Sequence, residues 1–141
     1  MGARSSGREA ALQMLFALDL TGVIEGAAVE QLVADYWREV PGDVEGRGFA
    51  DELVLAVAAS VGDIDERIRG ASRHWRIERM SRVDRNVLRL GVHELAESQD
   101  VPRAVVIDEA VELAKRYGAE GSSVFVNGVL DRIAEQLGRK D

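Results

Sequence analysis

Residues 81–95 read Ser81-Arg82-Val83-Asp84-Arg85-Asn86-Val87-Leu88-Arg89-Leu90-Gly91-Val92-His93-Glu94-Leu95, and this stretch sets the fold class. Val87, Leu88, Val92 and Leu95 recur at helical steps and share an inward face. Ser81 precedes the run with Asp84 three residues on, a weaker form of the Ser/Glu box that satisfies amide groups at a helix start. Gly91 lies inside the helix. It costs about 1 kcal/mol of helix preference against alanine, so close packing of another helix is expected there.

The flanks carry the same signature. Toward the C-terminus, Pro102 stands at an expected first helical position, and Ile107, Ala110, Val111, Ala114 and Tyr117 follow before Gly118. A last helix opens near Ser122 or Ser123. Its stripe of Phe125, Val126, Val129, Leu130, Ile133 and Leu137 marks one buried face. Toward the N-terminus, residues 71–80 are less periodic, with Trp75, Ile77 and Met80 as expected anchors. Before them a helix is expected from near Phe49, kinked at Gly62 and continued by Ile64 and Ile68 toward Gly70. Pro41, Gly42, Gly46 and Gly48 make residues 39–48 an expected loop. Helices are also expected from about Ala27 to Arg38, and from about Arg8 to Leu20 with Gly22 as its stop. Only two prolines occur and no Val/Ile/Thr alternation is sustained, so the chain reads as all-α.

The length of 141 residues suits one domain, with a break between two lobes near residues 62–80. Cysteine is absent, which excludes disulfides, thiolate metal sites and a cysteine nucleophile. No apolar run approaches the roughly 18 residues of a membrane span. Arg4 and Arg8 precede a polar-interrupted segment, which argues against a signal peptide. The formal charge of -7 is unevenly placed: residues 1–66 carry -9, residues 67–89 carry +6 and residues 90–141 carry -4. Eight arginines supply the middle block, and arginine suits bidentate contact with phosphate or carboxylate. Surface ion pairing is the competing role for each.

Motifs for catalysis are missing. His74 and His93 lack the spacing of a zinc helix, and both read as structural or surface residues. There is no Lys-Ser or Lys-Thr phosphate loop and no Gly-x-Ser-x-Gly elbow. Asp108 and Glu112 share a helix face, but nothing else ties them to a reaction, so solvation or protein contact is the expected role. No metal site and no cofactor are expected, and the chain does not read as an enzyme.

Three ordered blocks carry a resemblance. They are residues 83–95 quoted above, then Asp100-Val101-Pro102 with Val106-Ile107-Asp108-Glu109-Ala110-Val111-Glu112-Leu113-Ala114-Lys115-Arg116-Tyr117-Gly118, then Phe125-Val126-Asn127-Gly128-Val129-Leu130-Asp131. With the opening Gly7-Arg8-Glu9-Ala10-Ala11-Leu12-Gln13-Met14-Leu15-Phe16, the chain resembles the NusB family of bacterial transcription antitermination factors over nearly its whole length. The resemblance implies about seven helices in two small bundles packed together. The N-terminal lobe would span about 8–75 and the C-terminal lobe about 76–138, with residues 1–7 as a flexible basic arm. It implies a cytoplasmic adaptor that pairs with ribosomal protein S10 and binds boxA RNA. The pair joins the RNA polymerase elongation complex with other Nus factors, notably on ribosomal RNA operons. Some members form homodimers.

Residue by residue, the resemblance places Arg4 and Arg8 near RNA, where a basic arm would meet phosphates at an ordering cost. Phe16 and Phe125 lie where family members carry aromatics near the RNA. Such rings can stack on unpaired bases, with core packing as the competing role. Asn127 can read a base edge or cap a local backbone group. Glu78, Asp84 and Arg85 fall on the S10 side, where charge steers association with a basic protein. Arg82, Arg85 and Arg89 share a helix surface, either as a phosphate track or as partners of the acidic N-terminal half. Two residues depart from the family pattern: Gly121 stands where an acid is frequent, and Asp108 where Asn is common. The sparse arm and the net acidity keep open a second class, a helical protein-protein adaptor or homodimer with little RNA recognition.

Overall fold

In the computed structural model, residues 2–22, 24–40, 44–139 and 141 are described. Among them all regular structure is helical, with seven α-helices and one short 3-10 turn. The chain divides into two compact units, 1–61 and 62–141. The division falls earlier than residue 75, so the helix that follows Ser60 belongs with the second unit.

The first unit contains α1 (Ala3–Thr21), α2 (Ala27–Glu39) and α3 (Val44–Ala59). The pairing of α1 with α3 dominates it. Ala11, Leu12, Met14, Leu15 and Leu18 of α1 are buried, as are Ala50, Leu53, Val54 and Val57 of α3. Each fully buried leucine or valine contributes about 1.5–3 kcal/mol relative to exposure. Gly22 ends α1 as expected: its φ of 78° is left-handed, and its amide donates to the Asp19 carbonyl.

Both helices start earlier than their sequence suggests. α1 begins at Ala3 rather than Arg8, taking in residues 3–7 of the expected flexible arm. α3 begins at Val44 rather than near Phe49, so Gly46 and Gly48 are helical. Pro41 and Gly42 lie outside the described residues. The physical reason is a glycine crossing. A Cβ on Gly7 would sit 2.8 Å from Phe49 Cδ2 and 3.0 Å from the Gly46 carbonyl oxygen. A Cβ on Gly46 would sit 3.0 Å from the Ala3 carbonyl oxygen. These glycines act as contact points between backbones, and that contact offsets their poor helix preference.

The second unit contains α4 (Val61–Ala71, whose first residue falls before the division), the 3-10 turn (Ile77–Arg79), α5 (Arg82–Glu97), α6 (Arg103–Tyr117) and α7 (Ser122–Gln136). The single helix expected across Gly62 is two helices. α3 closes at Ala59, the Ser60 amide donates to the Val57 carbonyl, and α4 restarts at Val61. Helices α5, α6 and α7 pack against one another. Gly91 meets its expectation: a Cβ there would lie 2.8 Å from Leu130 Cδ1 on α7. Ser81 caps α5 by accepting from the Asp84 amide at 3.0 Å.

Two arginines tie α4 into this unit. Arg89 of α5 pairs with Asp65, and Arg132 Nε of α7 donates to the Ala71 carbonyl at 2.7 Å. At the C-terminus, buried Arg139 donates to the carbonyls of Leu95 and Val101 and to Asp141. No helix among the described residues is long and apolar enough to cross a membrane.

Candidate nucleic-acid interface

On α1, Arg4 and Arg8 sit one helical turn apart, and each guanidinium lies 5.3 Å from the Phe49 ring centre. They differ in access. Arg4 is exposed, whereas Arg8 is only 3% exposed. Arg8 packs its guanidinium on Phe49 and is largely withdrawn from solvent, leaving Arg4 as the exposed member of the pair. Phe16 lies on the same helix, about 12 Å further along. Its ring is 37% exposed, so it is not committed to the core.

In the second unit, Phe125 stands near the start of α7, in edge-to-face contact with Trp75 at 6.5 Å between ring centres and 77° between planes. Trp75 was an expected core anchor, but it is 59% exposed; Ile77 and Met80 hold the segment down instead. The two rings wall a cavity of about 330 Å³ with Arg79, Met80, Asp84 and Gly121. Gly121 has a φ of 88°, a left-handed conformation where glycine is unstrained and an acid would not be. Asn127 is exposed two residues beyond Phe125.

Asp84 brings an acid into that aromatic cavity. Its amide is used by Ser81, but its carboxylate does not complete a reciprocal cap: Oδ1 is buried and has no hydrogen-bond partner. A buried acceptor left without a donor is costly and calls for one. Glu78 is exposed on the 3-10 turn, 3.4 Å from Arg69 Nη2. The hydrogen bond from its own amide holds its carboxyl below the usual range against some burial, with Arg69 and Arg76 adding to the effect. Arg85 follows Asp84 on α5 and is half-buried. Its Nη1 donates to the carbonyls of Ile77 and Met80, so it shapes the turn that carries Glu78.

Arg89 leaves the supposed phosphate track altogether. It is buried, bonded to Asp65 and Asn86, and Asp65 lies in the second unit. Arg82 remains exposed. Four arginines of the basic block at 67–89 come together at the end of α4 and in the turn after it. Arg69, Arg73, Arg76 and Arg79, with His74 and Trp75, line an open cleft of about 730 Å³. A tryptophan set inside an arginine run is the signal that was available. Among the described residues no group of three or more His, Asp or Glu could hold a metal ion.

Comparison with known proteins identifies a family. Residues 5–135 match the family model described as the NusB family. The chain is 64% identical over its full length to the transcription antitermination protein NusB of Sorangium cellulosum, covering 98% of that protein. It is 47% identical over 137 residues to the protein of the same name from Geobacter sulfurreducens, covering 97% of each. Among solved structures, T. maritima NusB superposes with a TM-score of 0.84 at 38% identity, covering 94% of this chain and 91% of that one. A structure of the antitermination factors NusB and NusE in complex with dsRNA superposes at 0.81 with 31% identity, covering 95% and 97%.

Proposed function

The chain belongs to the NusB family of non-enzymatic transcription antitermination adaptors, and on that premise we propose that it binds boxA-type single-stranded RNA together with ribosomal protein S10. The pair then joins the RNA polymerase elongation complex with other Nus factors and supports processive transcription of ribosomal RNA operons. The related complex of NusB and NusE with dsRNA, in which NusE is S10, supports S10 and RNA as the classes of partner.

One observation carries the reading. Phe125 and Asp84 line the same cavity, and one carboxylate oxygen of Asp84 is buried there without a hydrogen-bond partner. The ring suits an unpaired base. The carboxylate suits a lysine or arginine of a basic ribosomal protein, which would supply the missing donor. RNA and S10 would then meet at one place, and each would help to order the other. Glu78 adds a negative charge nearby, and Arg85 positions it. Arg4, Phe16 and Asn127 offer exposed groups for phosphate, base face and base edge; Arg8 supports Arg4 by fixing Phe49.

The test is RNA affinity of the free protein and of its S10 complex, for boxA and for a scrambled sequence, repeated with Phe125→Ala. The expected result is stronger boxA binding with S10 and selective loss of boxA preference in the variant, with unchanged far-UV circular dichroism. Equal weak binding to both RNAs in the presence of S10 overturns the reading. A second reading, a protein-protein adaptor or homodimer with little RNA recognition, is favoured by the net charge of -7 and by the burial of Arg8. It predicts an S10 complex or homodimer whose formation is indifferent to RNA.

A further inference from the structure

We propose that the turn joining α4 to α5 is a phosphate-binding cleft for the same RNA: Arg73, Arg76 and Arg79 hold backbone phosphates, and Trp75 stacks on a base beside Phe125. The proposal rests on the RNA-binding reading above and extends its site by residues that reading does not use.

Charge is the first argument. Glu78 is the only acid lining the cleft, and it is met by Arg69, which also bonds Glu66 at 2.6 Å. Arg73, Arg76 and Arg79 are exposed, and among the described residues none of them makes a salt bridge, although Arg76 acts on the Glu78 carboxylate through space. Three exposed arginines that make no salt bridge among the described residues, set around a single acid, form a local cationic site on an acidic protein. Guanidinium groups match phosphate oxygens bidentately.

Preorganisation is the second. The turn has little regular structure, yet three residues brace its backbone. Buried Ser72 donates from Oγ to the Ile68 carbonyl at 2.7 Å and to the Trp75 carbonyl at 3.2 Å. Arg132 holds Ala71, and Arg85 holds Ile77 and Met80. The arginines therefore point outward from a fixed path, and less ordering entropy is lost on binding.

Continuity is the third. Trp75 and Arg79 line both the cleft and the aromatic cavity. A strand with one base against Phe125 has its neighbouring phosphates beside the arginines. The exposed indole favours nucleic acid over an acidic peptide, because successive bases stack on such platforms and carboxylates do not.

The experiment uses the full chain with S10 and two RNAs, the boxA element alone and the element with about four extra nucleotides on each side. Arg73→Gln/Arg76→Gln is compared with Arg38→Gln/Lys115→Gln, which removes the same charge from surface positions elsewhere, and with Trp75→Ala and Phe125→Ala. The cleft pair is expected to weaken binding of the longer RNA about tenfold at low salt and to lower its salt exponent by about 1–2. Trp75→Ala weakens it with the salt exponent kept, and the control pair changes affinity less than about twofold. If the cleft pair behaves like the control while Phe125→Ala still abolishes boxA preference, the cleft proposal is overturned and the RNA reading stands. If the unmodified protein shows no boxA preference, both fall. Loss of S10 binding by the cleft pair with RNA affinity intact assigns the cleft to protein and overturns the proposal.

Discussion

Arg89 on α5 grips Asp65 on α4 through two parallel hydrogen bonds, Nε donating to Oδ1 and Nη2 to Oδ2, each 2.9 Å long. Both side chains are largely shielded, at 7% and 14% exposure. Arg89→Ala leaves Asp65 shielded and unpaired, and unfolding in urea should show a loss of about 3 kcal/mol. The matched apolar pair Arg89→Met/Asp65→Leu should recover most of it, since removing both charges also removes their desolvation cost. RNA affinity at a temperature where both remain folded should be unchanged.

The Gly7 crossing predicts a local defect. Gly7→Ala places a methyl against the Gly46 carbonyl and the Phe49 ring. Overpacking of this kind costs about 1–3 kcal/mol, against about 1 kcal/mol gained in helix preference. Amide hydrogen exchange should accelerate in residues 3–8 and in the first turns of α3, while α5, α6 and α7 keep their protection.

Burial lowers the pKa of His93 from its ordinary 6.5, opposed by the charges of Glu94 and Glu97. The folded protein therefore binds this proton less readily than the unfolded chain. The contribution of His93 to stability is complete above the unfolded value and falls as pH drops through 6.5 toward the lower folded pKa. Denaturation midpoints measured from pH 8 down to pH 5 should decline, and His93→Gln should flatten that decline.

Asp84→Asn tests the orphaned carboxylate. Its Oδ1 bonds nothing within the chain, so stability should change by less than about 1 kcal/mol, the scale of an acid at a helix N-terminus. S10 affinity should fall, and the fall should shrink as salt is raised. A large loss of stability with S10 affinity kept would show instead that the carboxylate serves the fold.

The fold was legible where periodicity and punctuation agreed. Gly22, Ser81 and Gly91 stand at the roles their chemistry suggests, and α6 ends at Gly118 and α7 begins at Ser122 as expected. Gly46 misled because a glycine that breaks a loop-like segment and a glycine that admits a neighbouring helix look alike in one dimension. Only the position of Phe49 and Ala3 in space separates the two cases. Candidate residues behaved similarly. The type of side chain at Phe125 and Asp84 was readable, but their shared cavity was not. Burial of Arg8 and the internal bonds of Arg85 could not be read either, because an arginine's long stem lets it face inward or outward from the same helical position. Trp75 ran the other way: a large apolar residue expected inside lies at the surface.

The bracing of residues 72–80 separates shape from content. Ser72, Arg85 and Arg132 clamp main-chain carbonyls, and none of them depends on which side chains the turn displays at 73, 75, 76 or 79. The exposed positions 73, 76 and 79 can be rewritten at little cost to folding, and position 75 at the cost of its ring contact with Phe125, so a molecule of this design can retune what it grips while its scaffold stays the same.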